Sequence, residues 1–281
     1  MAVMEMHIFS EVLGLETDIH VIYPNEHDGT PKRALWLLHG GSGDSSAWVR
    51  NTAVEQIAEK YNIAVIMPDG MYSCFTDMHK GGDYATYITA ELPGGIRGFF
   101  PKLSEERQDN FLAGFSNGGY GTFLLGMTAP HLYGALGAFS GGDKFHAEFP
   151  RDGSKRSHDM YINFGSEIRG SKYDIERLIQ QAAACGGAVP QVYHVCGELE
   201  PALYSNYHVV RDLFRSFEGN PFGYEYREYA GYGHTWPLWE AALETFLGEY
   251  LKLPQYEKIK GALQTDFFTP WNTPQRGFAS L

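Results

Sequence analysis

A serine at position 116 stands between two glycines, in the stretch GFSNGGYG at residues 114–121. A plain strand-to-helix turn needs glycine wherever φ is positive or where backbones crowd. A nucleophile elbow needs the same glycines for the same steric reason, but it holds the serine hydroxyl out of the turn. The apolar run before this stretch predicts a strand and the run after it predicts a helix, which is the setting of an elbow. We therefore favour Ser116 as a nucleophile, with the N–H of Asn117 as one donor to an oxyanion.

A serine hydroxyl needs a base that titrates near neutral pH, and histidine is that side chain. Most of the 11 histidines are interpreted as ordinary surface or core residues; His7, His20 and His27, for example, lie in the predicted opening strands or their loops, and His131 lies at a helix end. His234, within GYGHTW at 231–236, follows the last predicted strand and precedes the final helix. Its loop returns to the sheet edge that carries the serine, so His234 is the predicted base.

The base in turn needs a carboxylate that fixes its tautomer and stabilises the imidazolium. The next-to-last predicted strand ends in CGELE at 196–200, which makes both Glu198 and Glu200 candidates. Asp212 does not compete, because it lies deep in a predicted helix. Spacing alone does not separate the two glutamates.

A glycine loop, HGGSG at 39–43, follows an early apolar run. Glycines there allow backbone N–H groups to converge on a tetrahedral oxyanion, since no side chain obstructs the approach. We assign the second oxyanion donor to the N–H of Gly41, with Gly40 shaping the turn. A phosphate-binding loop is excluded, because neither Gly-Lys-Ser/Thr nor G-x-G-x-x-G is present here.

Other side chains near these motifs are candidates for a substrate pocket. Trp48 and Trp236 could wall an acyl or sugar site, although core or rim packing explains both tryptophans equally well. His79 lies in the polar stretch DMHKGGD at 77–83, after a strand end, and could line the pocket. A solvated loop is the favoured interpretation of that stretch.

Strand-like apolar runs alternate with helix-like segments, which predicts an α/β protein with a mostly parallel twisted sheet and helices on both faces. Predicted strands cover residues 6–10, 17–23, 34–39, 63–67, 110–113, 135–139, 160–164, 191–196 and 224–229. The first predicted helix is capped by Ser45 or Ser46 and runs through Ala58. The other predicted helices cover residues 84–92, 123–127, 174–184, 204–217 and 236–251. We expect one domain at 1–252, a polar loop or flap at 143–157, and a C-terminal tail or arm at 253–281.

Composition limits the classes of partner. The chain has 281 residues, 43% of them hydrophobic, and a formal net charge of −12, so it lacks the basic excess that nucleic acid or an anionic membrane requires. Three cysteines lack metal-ligand spacing, and their odd number fits reduced thiols. We predict no metal and no cofactor. The N-terminus has neither a basic nor an apolar region of a signal peptide, so we expect a cytoplasmic protein.

Linked motifs in a fixed order resemble a known family. These motifs are LHGGSG at 38–43 with Trp48, YITAELP at 87–93 with FFP at 99–101, NFLAGFSNGGYG at 110–121, CGELE at 196–200, and GHTW at 233–236. From about residue 37 to about residue 247, the chain resembles the tributyrin-esterase branch of the esterase D-like α/β-hydrolases, which includes acetyl-xylan and cinnamoyl esterases. The resemblance implies an α/β-hydrolase fold and a Ser-Asp-His triad that acts on short acyl esters through an acyl-enzyme, without a cofactor.

The resemblance carries over to single positions. Ser116 and His234 match the family's nucleophile and base. The family acid usually stands as aspartate in Cys-Gly-x-x-Asp, and this chain has Glu200 at that place, which favours Glu200 over Glu198. The extra methylene must be absorbed by a backbone shift or a different rotamer. Asn117 replaces the family's small or methionine residue after the serine.

The resulting hypothesis is a serine carboxylesterase that hydrolyses short-chain acyl esters, first of all acetyl esters of carbohydrate or simple esters. Feruloylated carbohydrate and S-formylglutathione are further candidate substrates. An acyltransferase on the same fold is one alternative. A non-catalytic carbohydrate-binding or interaction protein, with Glu200 marking a decayed triad, is another. The sequence is compatible with a homo-oligomer.

Overall fold

A computed structural model describes residues 1–25, 32–144 and 153–256. Its centre is an eight-stranded sheet in the order β1-β2-β4-β3-β5-β6-β7-β8. The strands are β1 Ala2–Ser10, β2 Leu15–Tyr23, β3 Arg33–Leu38, β4 Ile63–Pro68, β5 Asn110–Phe115, β6 Ala135–Phe139, β7 Gln191–Gly197 and β8 Glu225–Tyr229. The pairs β1–β2 and β2–β4 are antiparallel, and all other neighbours are parallel.

Helices connect the parallel strands. They are α1 Ala47–Asn51, α2 Val54–Tyr61, α3 Tyr84–Thr86, α4 Leu92–Phe99, α5 Asn117–Thr128, α6 Lys155–Phe164, α7 Ile175–Ala184, α8 Tyr204–Ser216 and α9 Trp236–Thr245. A π-helical turn, Tyr87–Glu91, joins α3 to α4, and another, Phe246–Tyr250, continues α9. Short 3₁₀ turns lie at Arg107–Asp109 and Pro201–Leu203. In the described part of the chain, no helix has the length and apolarity that crossing a membrane requires.

The hydrophobic core has two layers, one on each face of the sheet. Helices α4, α5, α7 and α8 pack on one face, where Phe123 and Ile179 are fully buried. Helices α1, α2 and α9 pack on the other face, around Trp48 and Leu243. Burial on both faces explains why β3, β4 and β5 are continuous apolar runs rather than alternating ones. The mostly parallel sheet with helices on both faces is confirmed.

One predicted strand is wrong. Residues 160–164 belong to α6, which begins after Ser154, whose hydroxyl accepts the Ser157 N–H at 3.2 Å. A short apolar run such as Met-Tyr-Ile-Asn-Phe fits a strand or a buried helix segment equally well. The N-cap at Ser154, rather than the apolar run, is the feature that indicates a helix here.

Smaller differences concern element lengths. The first predicted helix is broken into α1 and α2 at Thr52, and the helix predicted at 84–92 continues through Pro93 to Phe99. Of the predicted flap at 143–157, residues 145–152 lie outside the described residues, and α6 begins within its last part. The predicted tail at 253–281 lies outside the described residues except for 253–256.

Candidate active site

Ser116 lies in the turn between β5 and α5, at the carboxyl edge of the sheet. Its backbone has φ 56° and ψ −114°, a conformation that a non-glycine residue rarely adopts. The Ser116 N–H donates to the Phe139 carbonyl at 2.9 Å, which anchors the turn to the end of β6. This is the strained strand-to-helix turn that exposes a serine hydroxyl at a sheet edge.

The flanking glycines allow backbones to come into contact. A Cβ at Gly114 would lie 2.7 Å from the Gly118 carbonyl oxygen, and a Cβ at Gly118 would lie 2.5 Å from the His39 carbonyl oxygen. Both neighbours are backbone atoms that have no rotamer in which to move away. The glycine spacing is therefore a steric requirement of the turn.

We expect Gly118→Ala to destabilise the fold by about 1–3 kcal/mol, because the new methyl group would overlap the backbone after β3. Gly95→Ala in α4 is the matched control, since a Cβ there meets nothing within 4 Å. Alanine in that helix should stabilise by about 0.5–1 kcal/mol. Urea unfolding of both variants measures the difference, and equal stabilities would contradict the steric account.

His234, in the loop between β8 and α9, reaches the serine. His234 Nε2 lies 2.9 Å from Ser116 Oγ. The ring also packs edge-on against Trp239, with centroids 5.0 Å apart. The His234 side chain is 36% exposed, so one side of the ring faces solvent, from which a substrate would approach.

The structure separates the two candidate glutamates. Glu200 Oε1 lies 3.5 Å from His234 Nδ1, and the Glu200 side chain is only 1% exposed. Glu198 is exposed, and its carboxylate accepts the Gly231 N–H at 2.8 Å. With a carboxylate facing Nδ1, the ring proton lies on Nδ1, which leaves Nε2 free to accept from Ser116.

Other side chains support the Glu200 carboxylate. The Ser140 hydroxyl donates to Glu200 Oε1 at 2.7 Å and accepts from the Trp239 indole N–H at 3.0 Å. Because an indole N–H can only donate, the single hydroxyl proton of Ser140 must point at Glu200. Burial raises the pKa of Glu200, but hydrogen bonds from His234 and Ser140, together with the nearby Tyr207 hydroxyl, outweigh burial and leave the pKa below its ordinary value. The carboxylate is therefore ionised at neutral pH.

Gly41 lies directly against the residue that follows the serine. A Cβ at Gly41 would lie 2.3 Å from Asn117 Nδ2, so glycine is what allows this approach. Within the described residues, neither the Gly41 N–H nor the Asn117 N–H has an acceptor. Asn117 is the first residue of α5, where backbone N–H groups have no partner inside the helix and the helix dipole is positive.

His39 holds the Gly41 loop in place. Its Nε2 accepts the Gly70 N–H at 2.9 Å, so that nitrogen is unprotonated and the ring proton lies on Nδ1. Nδ1 then donates to the Gly40 carbonyl at 2.7 Å. The buried imidazole therefore ties the loop after β3 to the loop after β4.

The candidate pocket residues lie in different places. Trp48 is 1% exposed, and its ring packs against Phe115 at 5.4 Å and Trp236 at 5.6 Å. Trp48 is thus part of the core beneath the serine. A Cβ at Gly40 would lie 2.4 Å from the Phe115 ring, so Gly40 also faces this aromatic cluster. Trp236 is half-buried at its edge.

His79 lies apart from the residues that meet at Ser116. It is exposed, and its ring packs edge-on against Tyr161 of α6 at 5.3 Å. Its backbone N–H donates to the Asn163 carbonyl at 3.0 Å. These contacts tie the 77–83 loop to α6.

Sequence reasoning missed several residues around the site, namely His39, Ser140, Tyr207, Trp239 and Lys144, whose Nζ donates to Asn117 Oδ1 at 2.6 Å. Ser140 had a readable signal, because it ends β6 in a Ser-Gly-Gly turn at the same sheet edge as the serine. No sequence signal marked Lys144 or Tyr207, because their positions depend on how distant elements pack. Among the described residues, no group of three or more His, Cys, Asp or Glu side chains could hold a metal ion.

Known proteins that are similar to this chain are esterases. The family model Esterase, described as "Putative esterase", matches residues 10–250. An acetyl esterase from Caldicellulosiruptor saccharolyticus is 28% identical over 256 residues, which cover 85% of this chain and 94% of that protein. These findings confirm the family resemblance inferred from the motifs.

Solved structures extend the similarity to the whole fold. The fluorophosphonate-binding serine hydrolase F of Staphylococcus aureus, with substrate bound, superposes with a TM-score of 0.80 and 25% identity over 89% of this chain and 98% of that chain. An S-formylglutathione hydrolase from Staphylococcus aureus gives a TM-score of 0.76 and 25% identity over the same shares of the two chains. The α/β-hydrolase fold is thereby confirmed. Because the family model spans most of its length, the chain belongs to this esterase family, as a serine carboxylesterase.

Proposed function

We propose that Ser116, His234 and Glu200 form the catalytic triad of this esterase, and that the N–H groups of Gly41 and Asn117 form its oxyanion hole. The observation that carries the proposal is the continuous chain of contacts from the serine to a buried carboxylate. It runs from Ser116 Oγ to His234 Nε2 at 2.9 Å, and from His234 Nδ1 to Glu200 Oε1 at 3.5 Å.

In the first half of the reaction, Ser116 Oγ attacks the ester carbonyl carbon while His234 Nε2 takes the hydroxyl proton. The carbonyl oxygen becomes an oxyanion, and the Gly41 and Asn117 N–H groups donate to it. The tetrahedral intermediate collapses, His234 returns the proton to the leaving alcohol, and an acyl-enzyme remains on Ser116. Ionised Glu200 stabilises the imidazolium through both transfers.

In the second half, water takes the place of the alcohol. His234 Nε2 removes one water proton as the hydroxyl oxygen attacks the acyl-enzyme. Collapse of the second tetrahedral intermediate returns the proton to Ser116 Oγ and releases the carboxylic acid. The 36% exposure of the His234 side chain supports this step, because water reaches part of the ring.

We propose acetyl and other short acyl esters, including acetyl esters of carbohydrate, as the substrates. Aromatic rings pack next to Ser116, since Phe115 stacks on Trp239 at 4.0 Å and meets Trp236 edge-on at 4.6 Å, centroid to centroid. We infer that this packing leaves little depth for a long acyl chain. The acetyl esterase among the relatives supports the same choice. The cytoplasmic location and the homo-oligomer stay predictions from the sequence.

A chain-length series tests the proposed substrate class. We expect kcat/KM for p-nitrophenyl acetate and butyrate to exceed that for the octanoate by about tenfold or more, because the longer chain would stay in water. Release of acetate from acetylated xylo-oligosaccharides, measured with and without glycerol, separates hydrolysis from acyl transfer. A preference for octanoate, or transfer to glycerol as the main product, would contradict the proposal.

A further inference from the structure

A lysine ammonium contacts the side chain of the residue that follows the proposed nucleophile. Lys144 Nζ donates to Asn117 Oδ1 at 2.6 Å and stands 5.7 Å from the centre of the Tyr120 ring. Both partners belong to the first turn of α5. Asn117 directly follows Ser116, and the Tyr120 N–H donates to the Ser116 carbonyl at 3.1 Å. The ammonium is therefore held next to the turn that carries the serine.

This ammonium is half-buried and has no carboxylate partner within ion-pair distance in the described part of the molecule. Among the described residues, one of its three N–H groups has an acceptor, which is Asn117 Oδ1 at 2.6 Å. Its charge also acts on the loop after β4: burial raises the pKa of the Cys74 thiol, and Lys144 opposes part of that rise.

The positive charge of Lys144 is opposite in sign to the net charge of the chain. A formal net charge of −12 repels an anionic substrate at long range. A cation next to Asn117 attracts an anion at short range, and a half-buried position strengthens that interaction. Lysine ammonium groups bind carboxylates through charge-assisted hydrogen bonds.

We propose that Lys144 is a subsite for a carboxylate on the ester substrate, so that the enzyme favours anionic esters over neutral ones of the same shape. The proposal rests on the function assigned above to Ser116. A carboxylate on the acyl group and a carboxylate on the alcohol present the same chemistry to the ammonium. The experiment therefore has one arm for each.

In the acyl arm, the substrates are the p-nitrophenyl half-ester of adipic acid and its neutral methyl ester. In the alcohol arm, they are 4-carboxyphenyl acetate and 4-carbamoylphenyl acetate. Each arm gives a selectivity, which is kcat/KM of the anionic ester divided by kcat/KM of the neutral one. Comparing selectivities between enzymes cancels the intrinsic reactivity of the esters.

We expect Lys144→Met to lower the selectivity about tenfold or more in one arm, and Lys144→Arg to retain most of it. Lys144→Gln repeats the test if the methionine variant folds poorly. Lys60→Met, which removes the same charge from the far face at the end of α2, should leave the selectivity unchanged. Added salt should lower the selectivity of the wild type but not that of Lys144→Met.

A selectivity in Lys144→Met equal to that of the wild type in both arms would overturn the subsite. If kcat/KM also fell equally on anionic and neutral esters, Lys144 would instead act through Asn117 on the oxyanion hole. Failure of the proposed function is a separate outcome, since it would show as neutral-ester turnover that survives Ser116→Ala.

Discussion

Replacing Ser116 with alanine should lower kcat for p-nitrophenyl acetate by roughly 10⁴- to 10⁶-fold. The variant keeps the elbow, His234 and both oxyanion donors, but it has no oxygen to attack the carbonyl. Steady-state hydrolysis measures the loss. Intact-protein mass spectrometry with a fluorophosphonate probe adds an independent readout, because one adduct should form on the wild type and none on the variant.

Ser116→Gly is a second inactive variant that tests the elbow itself. Alanine at φ 56° keeps the backbone strain of the native turn, whereas glycine relieves it. We expect Ser116→Gly to be more stable than Ser116→Ala by about 1 kcal/mol in urea unfolding. Turnover or labelling that survives in both variants would contradict Ser116 as the nucleophile, and the glycine-flanked serine would then be a structural turn.

Glu200→Gln should lower kcat by roughly 10³- to 10⁴-fold. Glutamine preserves the shape of the side chain but cannot stabilise the imidazolium. Ser140 would still donate to the amide oxygen, which would take the place of Oε1, the same atom that now faces His234 Nδ1 at 3.5 Å. The expected loss therefore comes from the missing negative charge beside the imidazolium.

Glu198→Gln is the matched control, since it makes the same chemical change two residues away. Its carboxylate accepts a loop N–H rather than contacting the histidine, so kcat should change less than about threefold. The four enzymes to compare are the wild type, Glu198→Gln, Glu200→Gln and Glu200→Asp. The aspartate variant should be intermediate, because a shorter side chain lengthens a contact that already spans 3.5 Å. A larger loss in Glu198→Gln than in Glu200→Gln would reverse the assignment of the acid.

Local sequence determined most of the elements that surround the site. Apolar runs flanked by glycine predicted β3, β5 and β6 within a residue or two at each end, because strands buried on both faces must be apolar throughout. The wrong strand prediction at residues 160–164 also has a local cause. Five apolar and amide residues carry no period long enough to distinguish a strand from a helix, and the cap at Ser154 was decisive.

Spacing left both glutamates open and the family resemblance favoured Glu200, but only the tertiary structure shows which of the two meets the histidine. Glu198 and Glu200 are two residues apart on one turn, and the direction of each side chain depends on how that turn packs against the 231–234 loop. The contacts of Ser140, Trp239 and Lys144 likewise join residues that are distant in sequence. Sequence periodicity reports on neighbours along one element, whereas these contacts follow from packing between elements. The motifs thus determined which residues could do the chemistry, and the packing of the sheet edge determined which of them touch.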